Sequence, residues 1–128
     1  MGAGDLSAFR SAGRTLFSLG LVKASEGNLS SFDGERLVIT RTGSELARLG
    51  QGDVLEGTPD APPLDASSDL ALYLEMYRER GPGAIAHAHP PGTVPEDWGE
   101  GQAHGTYAHA PTLEDAVDHL VLEARERG

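Results

Sequence analysis

The chain has 128 residues, of which 38% are hydrophobic and 23% charged, with a formal net charge of −10. A chain of this length supports one core that buries roughly two thirds of its unfolded surface, and it holds no run of about 18 apolar residues, so a membrane span is not expected. The acidic balance argues against nucleic acid, which draws much of its affinity from basic patches, and the lack of cysteine leaves His, Asp and Glu as the possible metal ligands.

The opening residues carry no secretory signal, which makes a cytoplasmic location the expectation. The spacing predicts a helix over 5–19, with Asp5 at its cap and Leu6, Phe9, Gly13, Leu16, Phe17 and Gly20 along one face. Strands over 28–32 and 36–40 flank Asp33-Gly34, a strong hairpin signal. Thr42-Gly43-Ser44 reads as a turn, with Ser44 placed to cap a short helix over 45–49. Another strand is expected near 53–56, followed by a proline-rich surface connection over 57–65.

Ser67 or Ser68 then caps a helix running to about Arg80, with Leu70, Leu74 and Tyr77 inward and Tyr73 beside them. Gly81-Pro82-Gly83 ends it, and the apolar run after it predicts a buried strand reaching His89. Residues 90–102 read as loop and 103–109 as a short strand. Thr112-Leu113-Glu114-Asp115 looks like a capping box, opening a last helix with Ala116, Val117, Leu120, Val121 and Ala124 on one side. Hairpins beside helices imply an α/β chain whose mixed, mostly antiparallel sheet is covered by helices, in one domain over 1–128.

The chemistry-bearing residues fall into three groups. His87 and His89 are two apart in the predicted strand, so both side chains leave the same face, an arrangement suited to a divalent transition metal. His104 either joins them, making a three-imidazole site with an open fourth position, or only punctuates a loop. Gly27-Asn28, Thr42-Gly43 and Ser67-Ser68 offer short donors for an anion, the last pair at a helix N-terminus with its positive dipole end; each also has a plain reading as a turn or cap. Asp69 could serve as general base, as metal ligand, or as a carboxylate complementing that dipole.

Taken in order, the motifs resemble the class II aldolase/adducin-like superfamily, which includes fuculose-phosphate-type aldolases, ribulose-phosphate 4-epimerases and methylthioribulose-phosphate dehydratases. The similarity runs through Gly27-Asn28-Leu29-Ser30, Ile39-Thr40-Arg41-Thr42-Gly43, Ser67-Ser68-Asp69, His87-Ala88-His89, and His104-Gly105 followed by Thr112-Leu113-Glu114-Asp115-Ala116. The resemblance implies a three-layer α/β/α fold. It implies zinc or another divalent metal held by His87, His89 and His104. It also implies a phosphate pocket formed by Gly27, Asn28, Thr42, Gly43, Ser67 and Ser68. In the aldolases the position of Asp69 is a glutamate acting as acid/base; in the epimerase branch it is an aspartate that can ligate the metal.

Three departures stand out. Arg41 replaces the usual proline, Tyr73 stands where a histidine is common, and the stretch from His89 to His104 is shorter than in typical members. A tail after the last helix, with a tyrosine that some members use as proton donor, has no counterpart. The function implied is metal-dependent lyase chemistry on a small phosphorylated sugar, with aldol cleavage of a ketose phosphate as the default. Epimerisation or dehydration is one alternative. A non-catalytic, oligomeric ligand-binding module of the same fold is the other. The resemblance further implies a homotetramer, while charge and the lack of an apolar run leave no nucleic-acid or membrane partner expected.

Overall fold

The Asp33-Gly34 turn organises the first half of the chain, joining β1 (Asn28–Phe32) to β2 (Leu37–Thr40). Asp33 Oδ1 accepts the Glu35 and Arg36 amide N–H groups at 2.9 and 2.6 Å. The Arg36 amide bond is the main cause that holds the Asp33 carboxyl below its ordinary range. Gly34 takes φ +105°, a conformation that a side chain would strain. The computed structural model describes residues 3–89 and 106–126.

Three further strands, β3 (Val54–Gly57), β4 (Gly83–Ala88) and β5 (Thr106–Ala110), complete a sheet of order β3-β2-β1-β4-β5. All four pairings are antiparallel, so across the described strands the sheet is antiparallel throughout rather than mixed. Side chains alternate between its faces. Leu29, Val38, Ala84, Ala86, Ala88, Ala108 and Ala110 share a core with α1 (Ala3–Ser18) and α3 (Leu113–Glu126). On the other face Leu37, Ile39 and Ile85 pack against Tyr73 and Tyr77 of α2 (Leu70–Arg80). The three α/β/α layers follow from this division. No helix among the described residues is long and apolar enough to cross a membrane.

The face of β4 and β5 toward α3 is built of alanines, which let Ala116, Val117 and Leu120 settle close to the strands. On the opposite face the buried Ser30 Oγ and Tyr77 hydroxyl share a hydrogen bond of 2.7 Å that fixes α2 on β1. Gly81, at φ +86°, closes α2 by donating its N–H to Tyr77 O at 2.8 Å. Thr112 Oγ1 accepts the Asp115 N–H at 3.1 Å, giving α3 one half of its predicted capping box.

Two helix starts differ from expectation. Ser44 caps nothing. Its hydroxyl donates to Arg41 O at 2.7 Å because the Thr42-Gly43 turn folds back on that carbonyl, and the segment beyond is a single 3-10 turn over Leu46–Arg48. Neither Ser67 nor Ser68 takes the cap position of α2, which falls to Asp69, because Ser67 Oγ is turned to accept the Asp69 N–H at 3.2 Å.

A Cβ on Gly13 would collide with the Leu46 carbonyl oxygen. Gly13→Ala gains about 1 kcal/mol of helix propensity, but displacing backbone in a packed core costs about 1–3 kcal/mol. A backbone collision lies at the upper end of that range, so urea denaturation should show a net loss of about 1–2 kcal/mol. A net gain in stability would show that the 3-10 turn yields freely.

Arg36 pairs with Asp5 of α1 at 2.8 Å and with Glu56 of β3. The Arg36 hydrogen bond is the main cause that holds Glu56 below its usual 4.5. A carboxylate depressed in the folded state adds stability above its unfolded pKa, and that stability is lost as pH falls through the folded value. Arg36→Gln should therefore lower the urea midpoint more at pH 7 than at pH 3.

Candidate functional site

The site grows from one register. Asn28 of β1 lies directly across from His87 of β4, and both project toward the α2 side of the sheet. The cap of α2 reaches this point from above: Asn28 Nδ2 donates to Asp69 Oδ2 at 2.9 Å, a bond buried from solvent. His87 Nε2 lies 3.9 Å from the same carboxylate oxygen. His89, one strand repeat further, turns its Nε2 to 3.1 Å from that of His87.

The His87 ring is held on its other side by Tyr107 of β5, stacked at 4.0 Å and 12°. Its orientation is thus set by a neighbouring strand as well as by its own. Beneath lies Tyr73, fully buried, whose ring meets Tyr107 edge-on at 6.0 Å. Burial, and then the Asp69 charge, push the Tyr73 phenol well above its normal pKa, so it remains neutral. Its hydroxyl, like Asn28 Oδ1, has no hydrogen-bond partner among the described residues.

Asn28, Asp69, His87 and His89 line a cleft of about 350 Å³ together with Ser25, Glu26, Gly27, Arg41, Thr42, Gly43, Ser67 and Ser68. The structure therefore brings into one concavity Gly27, Asn28, Thr42, Gly43, Ser67, Ser68, Asp69, His87 and His89, which the sequence presents as three separate groups. His104 lies outside the described residues. Sequence reasoning missed Ser25 and Glu26 as lining residues; their only signal is adjacency to Gly27-Asn28. Arg41 stands out in the sequence as a replacement for proline, not as part of the cleft wall.

His109 sits elsewhere on the α2 face, donating its Nε2–H to Gly81 O at 3.1 Å. Its ring lies edge-on to Tyr77 at 5.8 Å, so it belongs to the packing.

Two Nε2 atoms bound to one zinc at about 2.0–2.1 Å in tetrahedral geometry stand about 3.3 Å apart. The His87–His89 separation of 3.1 Å is close to that spacing, so the pair fits two ligand positions on one ion. Among the described residues no group of three His, Cys, Asp or Glu side chains forms a complete metal site. A closed site thus needs a ligand beyond His87 and His89.

A family profile described as Class II Aldolase and Adducin N-terminal domain matches residues 7–95. The methylthioribulose-1-phosphate dehydratase of Acidiphilium cryptum is 34% identical over 97% of this chain and 57% of its own length. The crystal structure of L-fuculose-1-phosphate aldolase from Thermus thermophilus is similar over 67% of this chain and 45% of that one, at 40% identity and a TM-score of 0.61. YgbL of Klebsiella pneumoniae, a putative aldolase/epimerase/decarboxylase by its description, covers 98% of this chain and 87% of its own at a TM-score of 0.80. Its 16% identity makes that a likeness of fold. The chain spans about half the length of the curated relatives it matches, 40% of one and 57% of another.

Gly27 supports the cleft from behind. It takes φ +77°, and a Cβ there would lie 2.6 Å from His87 O and 2.8 Å from Val22 Cγ1. Gly27→Ala should cost about 2 kcal/mol or more through strain and overpacking. It should also displace the His87 ring signals in an imidazole-detected NMR spectrum while those of His119, on α3, stay put. Unchanged His87 signals would show that Gly27 does not position the strand.

Proposed function

The chain belongs to the class II aldolase and adducin N-terminal domain family, and on that premise we propose that its cleft binds a small phosphorylated ketose beside a divalent metal and catalyses a lyase reaction next to the sugar carbonyl, with loss of an aldehyde or of water. The observation that carries this reading is the buried Asp69 carboxylate, fixed by Asn28 at 2.9 Å, facing His87 at 3.9 Å within one cleft. A metal held by His87 and His89, with His104 as the proposed third ligand, would supply Lewis-acid polarisation of the carbonyl.

Asp69 is the proposed base. Its Oδ2 is oriented by the Asn28 amide and shielded from bulk water, so the carboxylate keeps one direction toward the ligand. In dehydration it takes the proton from the carbon next to the carbonyl and returns it to the hydroxyl that departs from the carbon beyond, as water; in aldol cleavage it takes the hydroxyl proton of the carbon beyond while the carbon–carbon bond breaks to release an aldehyde, and the proton then goes to the carbon next to the carbonyl. Gly27, Asn28, Thr42, Gly43, Ser67 and Ser68 are the proposed cradle for the phosphate, with the N-terminal end of α2 directed at it.

Both reactions are lyase reactions. The motif set favours aldol cleavage; the 34% identity that runs through 97% of the chain favours dehydration of a methylthioribulose 1-phosphate-like substrate. With zinc supplied, release of dihydroxyacetone phosphate from fuculose 1-phosphate identifies the first, and loss of water from methylthioribulose 1-phosphate the second. Asp69→Asn should lower whichever rate is found by about 100-fold or more, the scale of a positioned proton-transfer group. Full activity in that variant would remove Asp69 from the mechanism.

The metal has its own readout. Titration with cobalt(II) should give a visible absorption band at one equivalent, and His87→Ala should weaken binding by at least about tenfold. We further propose a homotetramer in the cytoplasm, with a neighbouring subunit closing the cleft. A monomer by light scattering would overturn that part.

A further inference from the structure

Resting on the reading of the cleft as an anion site, we propose that Arg41 is its specificity-determining residue: the guanidinium leaves Asp65 and closes on the anionic end of the ligand, so that the cleft selects a doubly charged phosphate monoester over a singly charged carboxylate.

The charge inventory of the cleft leads to this. Two carboxylates, Glu26 and Asp69, line it, and Arg41 is its one permanently cationic side chain among the described residues. Apart from the metal proposed at His87 and His89, an anion entering the cleft of a protein with net charge −10 meets like charge on two sides. The α2 dipole supplies only a partial positive charge, and the buried Asp69 carboxylate at the cap position sets a full negative charge beside it.

The backbone amides that could cradle an anion are largely engaged. Arg41 N–H donates to Asp53 O at 2.7 Å, Thr42 N–H to Asp65 O at 2.8 Å, and Ser44 N–H to Arg41 O at 3.2 Å. Ser67 N–H is bound by Thr40 O at 3.1 Å, and the Asp69 N–H by Ser67 Oγ. None of these bonds uses the amides of Gly27, Gly43 or Ser68. Such neutral amides can orient a phosphate but supply no full charge to balance its own. A guanidinium supplies a full charge and a planar fork matched to phosphate oxygens.

Arg41 is free to do so. Its backbone is pinned by the bond to Asp53 and a bridge to Ala66, so its Cα is fixed at the cleft edge. Among the described residues its side chain is held only by Asp65, at 3.7 Å, with the two side chains 49% and 67% exposed. Solvent-exposed pairs of this kind contribute little and exchange readily. Asp65 therefore parks the guanidinium when the cleft is empty, and a phosphate, carrying more charge, takes it over.

The test is calorimetric titration of the full chain with glycerol 3-phosphate and with glycerate, which differ in anion charge and share a hydroxylated carbon frame. Wild type should prefer the phosphate by about tenfold, and Arg41→Gln should bind it about tenfold more weakly, the loss of one charge-assisted bidentate contact. The same variant should hold glycerate within about threefold, and Asp65→Asn should bind the phosphate somewhat more tightly by releasing Arg41. A double variant Arg10→Gln/Arg14→Gln, altering a separate groove on α1, should bind as wild type.

Unchanged phosphate affinity in Arg41→Gln overturns the proposal and leaves the anion site standing. Loss of binding in the α1 double variant instead overturns it too, by moving the anion elsewhere. No binding of either ligand by wild type overturns both the proposal and the reading it rests on. Because Arg41 is exposed, a melting temperature within about 2 °C of wild type is expected for the variant, so a change in affinity reports on contact rather than folding.

Discussion

The antiparallel pairing of β1 with β4 is the constraint on which everything else rests. It joins the amino-terminal hairpin to the strand that follows α2, and it lays Asn28 opposite His87. Once those two residues are neighbours, the cap of α2 has one place to land. The Asn28 amide receives Asp69, the Ser30 hydroxyl receives Tyr77, and the helix is held along its length by two polar contacts to a single strand. A slip of one residue in that register would send Asn28 and Ser30 to the face now filled by alanine and leucine, away from His87. The fold and the cleft are specified by the same ladder of hydrogen bonds.

Local signals make most of the fold legible in the sequence. Asp33-Gly34 marks the hairpin because an aspartate oxygen can satisfy two following amides. The i, i+3, i+4 pattern of Ala116, Val117 and Leu120 marks the inner side of α3. Gly81 announces the end of α2. Strand order is not legible, since β1 meets β4 across more than fifty residues and no local pattern encodes that neighbour. The small errors share one cause. Ser44 and Ser67 look like helix-capping residues by type, and each instead bonds a backbone group of the turn beside it.

The cleft is legible in a different way. The two-residue period alone places His87 and His89 together, and the structure has them on one face with their nitrogens facing. Gly27, Thr42 and Ser67 carry no such periodic signal; only their occurrence in a motif order groups them. The contribution of Tyr107 is illegible, because stacking on His87 depends on the β4–β5 register. Arg41 is visible as an oddity, but its place in the wall emerges only when the 41–44 turn and the α2 cap are seen side by side.

The alanine side of β4 carries a consequence for how such a sequence can drift. Ala84, Ala86 and Ala88 alternate along the strand with Ile85 and His87, so the methyl groups under α3 and the imidazole of the cleft hang from opposite sides of the same few peptide units. Any enlargement of the α3 contact must be absorbed by moving the strand, because methyl groups offer no rotamers in which to hide the added volume. Substitutions in a helix remote from the cleft would thereby alter its chemistry. Repacking of α3 and retuning of the cleft are in this sense one evolutionary variable, and the narrow choice of residue size on the hidden face protects the alignment of the reactive one.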